Sequence, residues 1–175
     1  MGDLILKEGD EMGCTPLHHA AKMGCLPAVK LFMKLTNGRE AAYMKDKKGN
    51  TALHLAAASN HKDTMAEIMK RCPECSELVN KKGWNILHCA VQNDDPQFRQ
   101  AMDTILKKNA FSNLLNEKDE QGNTPLHHIA ISLNKHRLHD LIHHPRVDKM
   151  AFNKDNHNAL DLASATKTFA VRKVS

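Results

Sequence analysis

Apolar residues recur along the chain in short groups with the spacing of amphipathic α-helices. Val29, Phe32 and Met33 form one such group, and a second begins at Phe98. Residues three and four apart lie on the same face of a helix, so each group predicts one buried face. The helices predicted in this way are Ala28–Leu35, Asp63–Lys70, Pro96–Lys107 and His136–His143.

A short phrase recurs five times along the chain. It reads GCTPLHHAA, GNTALHLAA, GWNILHCAV, GNTPLHHIA and, in a degraded form, NHNALDLAS. Its leucines are Leu17, Leu53, Leu87, Leu126 and Leu160, so successive copies are 36, 34, 39 and 34 residues apart. An Asp or Asn stands three residues before the first residue of each copy. Five copies in register indicate five stacked structural repeats.

The residue types in the phrase account for its recurrence. The Asp or Asn and the Gly predict a tight turn, because glycine adopts backbone conformations that other residues avoid. Thr15, Thr51 and Thr124 then cap the start of a helix, and Pro16 and Pro125 occupy its first turn, where no N–H is needed. One unit cannot bury its own apolar face, so the units are expected to stack into a solenoid.

The Asp/Asn-x-x-Gly lead and the Thr-Pro-Leu-His core resemble the ankyrin repeat. The resemblance covers residues 10 to about 170 and implies an all-α solenoid of stacked helix-turn-helix units with short turn fingers. We expect a single domain, residues 1–175, with repeats at about 10–45, 46–79, 80–118, 119–152 and 153–175. The segment before Asp10 is expected to end an earlier repeat, and the second helix of the last repeat is expected after residue 165.

Two longer segments narrow the resemblance. LLNEKDEQGNTPLHHIA followed by HPRVDKMAFNKDNHNALDLA is similar to the closing repeats of plant ankyrin-repeat membrane proteins with a C-terminal PGG domain, of the accelerated-cell-death type. NKKGWNILHCAVQ is similar to the middle repeats of the same group. The resemblance implies a cytosolic ankyrin array tethered to a bilayer, with a role in defence signalling or stress responses.

Composition favours small helical units and leaves the class of partner open. Hydrophobic residues make up 41% of the chain and aromatic residues only 4%. The net charge of +5 permits an anionic partner. No nucleic-acid partner is expected, because no DNA- or RNA-binding motif is present and the aromatic residues needed for base stacking are scarce.

Cysteine usage and hydropathy indicate an intracellular, soluble chain. Five cysteines at scattered positions, with no signal peptide ahead of them, indicate reduced thiols. No apolar run approaches the roughly 20 residues of a membrane helix. We therefore expect a cytoplasmic monomer, from a parent protein at the cytosolic face of a membrane.

The repeated histidines His18, His54, His88 and His127 are tempting as catalytic bases, but their regular recurrence favours a structural role. Each ring is expected to hydrogen-bond backbone in its own turn or in the neighbouring one, since an unpaired buried imidazole is costly. No nucleophile recurs beside them, and no phosphate-binding glycine loop is present. We predict no enzyme activity and no cofactor.

Two further groups resemble metal sites without matching a known ligand pattern. His136, His139 and His143 can share one helical face, but no glutamate stands where an H-E-x-x-H base would be. Cys72 and Cys75 form a single C-x-x-C with no second pair at zinc-finger spacing. We predict no bound metal, and zinc on the three histidines stays an alternative.

In an ankyrin-like array, partners bind the concave face, which consists of the turn tips and the exposed side of each first helix. Applying that pattern to this chain predicts the partner-binding residues Glu11, Met12, Lys22, Lys47, Lys48, Asn50, Lys81, Lys82, Trp84, Gln92, Glu120, Gln121 and Asn123.

Trp84 and four lysines stand out within that set. Trp84 is the only tryptophan and falls at a turn tip, where we expect packing not to need it, so Trp84→Ala is expected to weaken binding without lowering the melting temperature. Lys47, Lys48, Lys81 and Lys82 occupy equivalent tips in adjacent repeats, either as a solubilising edge or as the site of an anionic partner. That partner is an acidic protein segment or an anionic membrane surface. Regulation of a channel, or a soluble scaffold without a membrane tether, are further alternatives.

Overall fold

A computed structural model describes residues 7–35, 38–93, 113–132 and 141–172, with the backbone alone for 166–172. Within these ranges every regular element is a helix, which confirms the all-α prediction. The α-helices are α1 Pro16–Lys22, α2 Leu26–Lys34, α3 Gly38–Tyr43, α4 Ala52–Ala58, α5 Lys62–Arg71, α6 Ile86–Ala90, α7 Pro125–Ser132 and α8 Ala159–Arg172. A 3₁₀ helix, Pro73–Glu77, follows α5.

Five turn fingers precede the first helices of the repeats; they are residues 10–14, 46–50, 80–84, 119–123 and 153–157. In each finger the carbonyl of the leading Asp or Asn accepts the N–H of the residue three positions later, at 2.8–3.1 Å. That later residue has a φ between +58° and +81° and is glycine in four fingers and Asn156 in the fifth. Glycine adopts this left-handed conformation without steric cost, which confirms the predicted turns.

The leading side chain holds the finger in shape. Oδ1 of Asp46 accepts the N–H of Lys48 and of Asn50, both at 2.8 Å. The same pair of bonds forms in the other four fingers. Asp and Asn both supply this acceptor, which explains why the lead position alternates between them.

Backbone hydrogen bonds join each finger to the next. The N–H of Lys81, for example, donates to the carbonyl of Lys48 at 3.1 Å, and the other junctions repeat the pattern. At Gly49 a Cβ atom would lie 2.6 Å from the nitrogen of Lys81. A side chain at this position would therefore separate the second finger from the third.

The repeated histidines make the second link between repeats. Nδ1 of His54 accepts the N–H of Thr51 at 3.2 Å, and Nε2 lies 3.1 Å from the carbonyl oxygen of Trp84 in the next finger. Because a backbone N–H can only donate, Nδ1 carries no proton and Nε2–H donates, so the ring is neutral. His18 and His127 are held in the same way, and His88 makes the same two backbone contacts, which confirms the structural role of all three.

The core lies between stacked helices. Helix α1 packs on α4, α4 on α6 and α7 on α8, while α2 packs on α5 in an outer layer. The leucines of the first four phrases are almost completely buried, and so are the small residues Ala21, Ala56 and Ala57. Close packing of the first helices depends on these small side chains, because interiors leave little free volume.

The second helices agree with the apolar pattern where the structure describes them. Predicted Ala28–Leu35 is observed as Leu26–Lys34, and predicted Asp63–Lys70 as Lys62–Arg71. The residues of α5 that face the core are Thr64, Met65, Ile68 and Met69. Predicted Pro96–Lys107 and residues 136–140 of the fourth predicted helix lie outside the described residues.

Two sequence-based expectations are wrong in the described part of the chain. The last repeat has no separate second helix after residue 165, because α8 continues without a break from Ala159 to Arg172. In the first two repeats the helices are separated at Gly24 and Asn60, which both have positive φ, and no Gly or Asn follows Ala163. The cysteines are also not all free thiols, since Cys72 and Cys75 form a disulfide at the end of α5.

Among the helices of the described residues, none combines the length and the apolar character that crossing a membrane requires.

Candidate partner-binding site

A cavity of about 540 Å³ opens between the second and third fingers and along one side of α4 and α6. Leu55, Ala58 and Cys89 from these two helices line it together with Trp84. Lysines at the tips of both fingers surround this apolar surface. The full lining is Lys47, Lys48, Asn50, His54, Leu55, Ala58, Asn80, Lys81, Lys82, Trp84, Cys89 and Gln92.

The structure brings part of the predicted partner-binding set together and leaves the rest beside it. The predicted residues that line the cavity are Lys47, Lys48, Asn50, Lys81, Lys82, Trp84 and Gln92. The others lie on the first repeat or on the fourth finger, outside the cavity: Glu11, Met12, Lys22, Glu120, Gln121 and Asn123. The second and third repeats therefore form the candidate site.

Sequence reasoning missed the residues that line the inner wall. Leu55 and Cys89 each stand six residues after the finger glycine, whereas the predicted helix residues Lys22 and Gln92 stand nine residues after it. Residues three apart share a helical face, so Leu55 lies beside Ala58, and Cys89 lies beside Gln92. The spacing of three residues from Ala58 and Gln92 could have identified Leu55 and Cys89 from the sequence.

The four tip lysines are exposed and carry a local excess of positive charge. Within the described residues none of their ammonium groups forms an ion pair with a carboxylate. Nζ of Lys82 lies 4.4 Å from the ring centroid of Trp84, a cation–π distance. The ammonium groups of adjacent fingers are thus held around one opening, where they attract an anionic group.

Trp84 contributes to packing as well as to the cavity. The expectation that packing does not need it is wrong: the indole is half-buried against the hydrophobic core, and Nε1–H donates to Oδ2 of Asp119 in the next finger at 3.0 Å. Its ring meets that of His128 edge-on, with centroids 5.0 Å apart. Trp84→Ala would therefore lower stability as well as change the cavity.

Asp119 receives a second donor from its own repeat. Nε2 of His128 lies 2.8 Å from the same Oδ2 that Trp84 contacts. Burial raises the pKa of Asp119, but the bonds from His128 and from the N–H groups of Asn123 and Gln121 outweigh it, so the pKa is lowered. The carboxylate stays charged beneath the third finger.

Asn50 and Asn123 join fingers to one another. Oδ1 of Asn50 accepts Nδ2–H of Asn80 at 2.8 Å, and Oδ1 of Asn123 accepts Nδ2–H of Asn153 at 2.9 Å. Both amides are half-buried and hold the spacing of the fingers. The Asn50–Asn80 bond therefore fixes the spacing of the two fingers that border the cavity.

The histidines give no support to an acid–base mechanism. Burial lowers the pKa of His54 and of His88 to about 4, and both nitrogens of each ring are already hydrogen-bonded. His54 lines the cavity without a free lone pair or proton to exchange with a substrate. Nothing in the described site indicates enzyme activity.

The other sequence candidates lie apart from the cavity. His136 and His139 are outside the described residues, and His143 is exposed. Cys72 and Cys75 are buried in the disulfide, with Cys72 just before the 3₁₀ helix and Cys75 within it. Cys89 is buried, as expected of a small apolar residue, and burial raises its thiol pKa to about 12. Cys14 is half-buried and Cys25 is exposed.

Two family models describing ankyrin repeats match the chain, one of many copies over residues 4–56 and one of three copies over residues 32–113. Human transient receptor potential cation channel subfamily A member 1 is 36% identical over 77 residues, 44% of this chain and 6% of the channel. Dog inversin is 31% identical over 121 residues, 69% of this chain and 11% of inversin.

The yeast target of rapamycin complex 2 subunit AVO2 is 26% identical over 125 residues, 71% of this chain. The chain spans 28% of AVO2 and smaller shares of the other two relatives. A solved complex of the Bd0816 predatory endopeptidase from Bdellovibrio bacteriovorus with immunity protein Bd3460 contains a similar chain. Its TM-score is 0.71 at 27% identity, covering 94% of this chain and 80% of that one.

Proposed function

Since this chain belongs to the ankyrin-repeat family, we propose that it is a non-catalytic protein-binding module whose partner inserts an acidic segment between the second and third fingers. The observation that carries the proposal is the cavity with an apolar inner wall and four lysines around it. The segment that fits has an apolar side chain flanked by carboxylates. The apolar group lies against Leu55, Ala58 and Trp84, and the carboxylates meet the ammonium groups.

The fold prepares this surface before a partner arrives. Finger-to-finger backbone bonds and the histidine bonds fix the distance between the two lysine pairs. Little conformational entropy is then lost when the partner binds, which raises the affinity available from a modest contact area. Electrostatic attraction adds to the association rate and makes binding sensitive to salt.

A direct test uses the single tryptophan as a reporter. Trp84 lines the cavity, so a peptide with alternating Glu and Leu should change its fluorescence on binding, whereas the matched Lys–Leu peptide should not. The site variant carries Lys47→Glu, Lys48→Glu, Lys81→Glu and Lys82→Glu. We expect its affinity for the acidic peptide to fall by at least about 10-fold at low salt.

The control variant makes the same charge change elsewhere. It replaces four exposed lysines of α2 and α5, on the outer helices, and carries Lys30→Glu, Lys34→Glu, Lys62→Glu and Lys70→Glu. It should keep the wild-type affinity. An equal loss in both variants would show that net charge, and not the cavity, governs binding.

An anionic membrane surface is the second candidate, favoured by the exposure of the same lysines. Vesicles of phosphatidylcholine with and without phosphatidylserine separate it from the first. A lipid partner would give binding that needs the anionic lipid and falls steeply with salt, with no preference for the acidic peptide. A protein partner would instead be indicated by tighter binding of the acidic peptide than of the anionic vesicles.

The parent protein is part of the same proposal. The similarity of the closing repeats to plant PGG-domain proteins supports an array held at the cytosolic face of a membrane, with a role in defence signalling. Expression of a fluorescent fusion of the full-length parent in plant cells tests the location. A diffuse cytosolic signal would favour the soluble scaffold.

A further inference from the structure

The first finger brings together three side chains of the types that bind zinc. They are Asp10, Cys14 and His19, and their ligand atoms all lie within 4.8 Å of one another. Nε2 of His19 is 2.9 Å from Oδ2 of Asp10. Ligands of a tetrahedral zinc ion are separated by roughly 3.3–3.8 Å, given metal–ligand bonds of about 2.0–2.3 Å, so a small side-chain rotation brings all three into range.

The finger holds the first two ligands before any ion arrives. Oδ1 of Asp10 accepts the N–H of Met12 at 2.8 Å and of Cys14 at 2.9 Å, which leaves Oδ2 directed at His19. The bond to Cys14 fixes the Cα of the thiol residue relative to the carboxylate. The side chains of Asp10 and His19 are 42% and 54% exposed, so an ion reaches them from solvent.

The other fingers provide an internal comparison. Their residues at the thiol position are Asn50, Trp84, Asn123 and His157, so cysteine stands there only in the first finger. The fourth finger repeats the Asp–His pair as Asp119 and His128, but Asn123 replaces the thiol. The finger fold therefore does not require cysteine at this position, and the chemistry of the trio is particular to the first repeat.

We propose that Asp10, Cys14 and His19 form a binding site for a zinc-class divalent cation, with water as the fourth ligand. One carboxylate and one thiolate balance the two positive charges, and the imidazole is neutral. Binding releases the thiol proton, and Nε2 of His19 exchanges its N–H bond to Asp10 for the metal, its proton moving to Nδ1 through solvent. Lys22 and Lys48 also face the thiol and oppose the cation, but both are exposed and screened by solvent.

The ion would tie the first finger to α1. His19 lies in that helix, whereas Asp10 and Cys14 belong to the finger before it. The site shares no residue with the lysine cavity, although Lys48 lies near both, so metal binding and peptide binding are measured separately and either proposal can fail without the other. Its effect should be confined to the first repeat.

Cobalt(II) tests the site with a readout that reports the thiol. The full chain is titrated with Co²⁺ under anaerobic conditions, and absorption from thiolate-to-cobalt charge transfer is followed in the near ultraviolet. We expect this band to saturate at one equivalent and to disappear on addition of Zn²⁺. Histidine-only sites, including any formed by His136, His139 and His143, give no such band.

Two matched variants complete the test. Cys14→Asn installs the residue of the second and fourth fingers and should fold normally while losing the band and at least about 100-fold in zinc affinity. Cys25→Ser changes the other exposed cysteine and should retain both. A band that is absent from the wild type, or that survives in Cys14→Asn, would overturn the proposal.

Discussion

The first and fourth repeats contain the same five residues, Thr-Pro-Leu-His-His, at 15–19 and 124–128, and in both the second histidine bonds to the leading aspartate. The environments differ. The side chains of Asp10 and His19 are 42% and 54% exposed, whereas those of Asp119 and His128 are 0% and 12% exposed. The fourth pair lies beneath Trp84 of the preceding repeat. The motif sets the geometry of the pair, and the neighbouring repeat decides its dielectric environment.

Because of this difference in exposure, the two Asp–His pairs have different roles. A buried aspartate with several donors stabilises the junction between repeats, because removing any donor leaves a desolvated charge. An exposed aspartate with one histidine contributes little to stability and stays available to a ligand. The same chemical pair is structural in the fourth repeat and open to binding in the first.

The largest effect on stability is expected from protonation of the neutral histidines, which the repeats have in common. The folded pKa values of His54 and His88 are lowered to about 4 from 6.5, and those of His18 and His127 are lowered as well. The unfolded chain therefore binds more protons between pH 6.5 and 4, so stability is present above 6.5 and is lost as the pH falls. We expect a loss of about 3 kcal/mol for each of His54 and His88.

Urea unfolding at pH 7, 5.5 and 4 measures this loss. The variant with His54→Gln and His88→Gln should be less stable at pH 7 and should show a flatter pH dependence. Asp119 does not contribute in this window, because its pKa is lowered below 3.8. An unchanged slope in the double variant would place the acid sensitivity elsewhere.

The second prediction compares the two aspartates directly. Asparagine leads the third and fifth fingers, so Asp119→Asn keeps the Oδ1 bonds and replaces only Oδ2. Nδ2–H then faces Trp84 Nε1–H, two donors without an acceptor, at a cost of about 2 kcal/mol in unfolding free energy. Asp10→Asn should cost less than about 0.5 kcal/mol, because water reaches His19. Equal costs in chemical denaturation would contradict the contrast between the repeats.

The third prediction concerns the indole hydrogen bond alone. Trp84→Phe keeps an aromatic ring over His128 and removes one donor to Asp119, at an expected cost of about 1 kcal/mol. In the Asp119→Asn background the same change should cost less or become favourable, because it removes the clash between donors. The thermodynamic cycle of the four proteins measures the coupling. Additive costs would show that Trp84 acts only through packing.

Much of the fold follows from spacing within the sequence. The fingers and the histidine bonds depend on residues a few positions apart or one full period apart, and the structure confirms both. The continuous α8 was missed because the break between helices depends on a single residue with positive φ, Gly24 or Asn60 in the earlier repeats. The last repeat otherwise resembles an intact repeat, so the absence of such a residue was not recognised from the sequence.

The candidate site could be predicted only in part. The lysines were found because their positions recur at the finger tips. The bond from Trp84 to Asp119 joins residues 35 positions apart and depends on an aspartate that has another duty in its own finger. The disulfide of Cys72 and Cys75 was missed because a single C-x-x-C does not distinguish a bonded pair from free thiols. The Trp84 bond also depends on how the repeats stack, which spacing alone does not reveal.

The hydrogen bonds between repeats also affect how the number of repeats can change during evolution. Each junction uses the same atoms: a finger N–H that meets the carbonyl of the preceding finger, and a histidine Nε2–H that meets the carbonyl one finger ahead. Deleting or duplicating one whole repeat therefore restores these shared bonds at the new junction, whereas side-chain bonds such as that of Trp84 to Asp119 belong to one junction. Unequal recombination within such a gene thus preserves the bonds that all junctions share while the number of repeats changes.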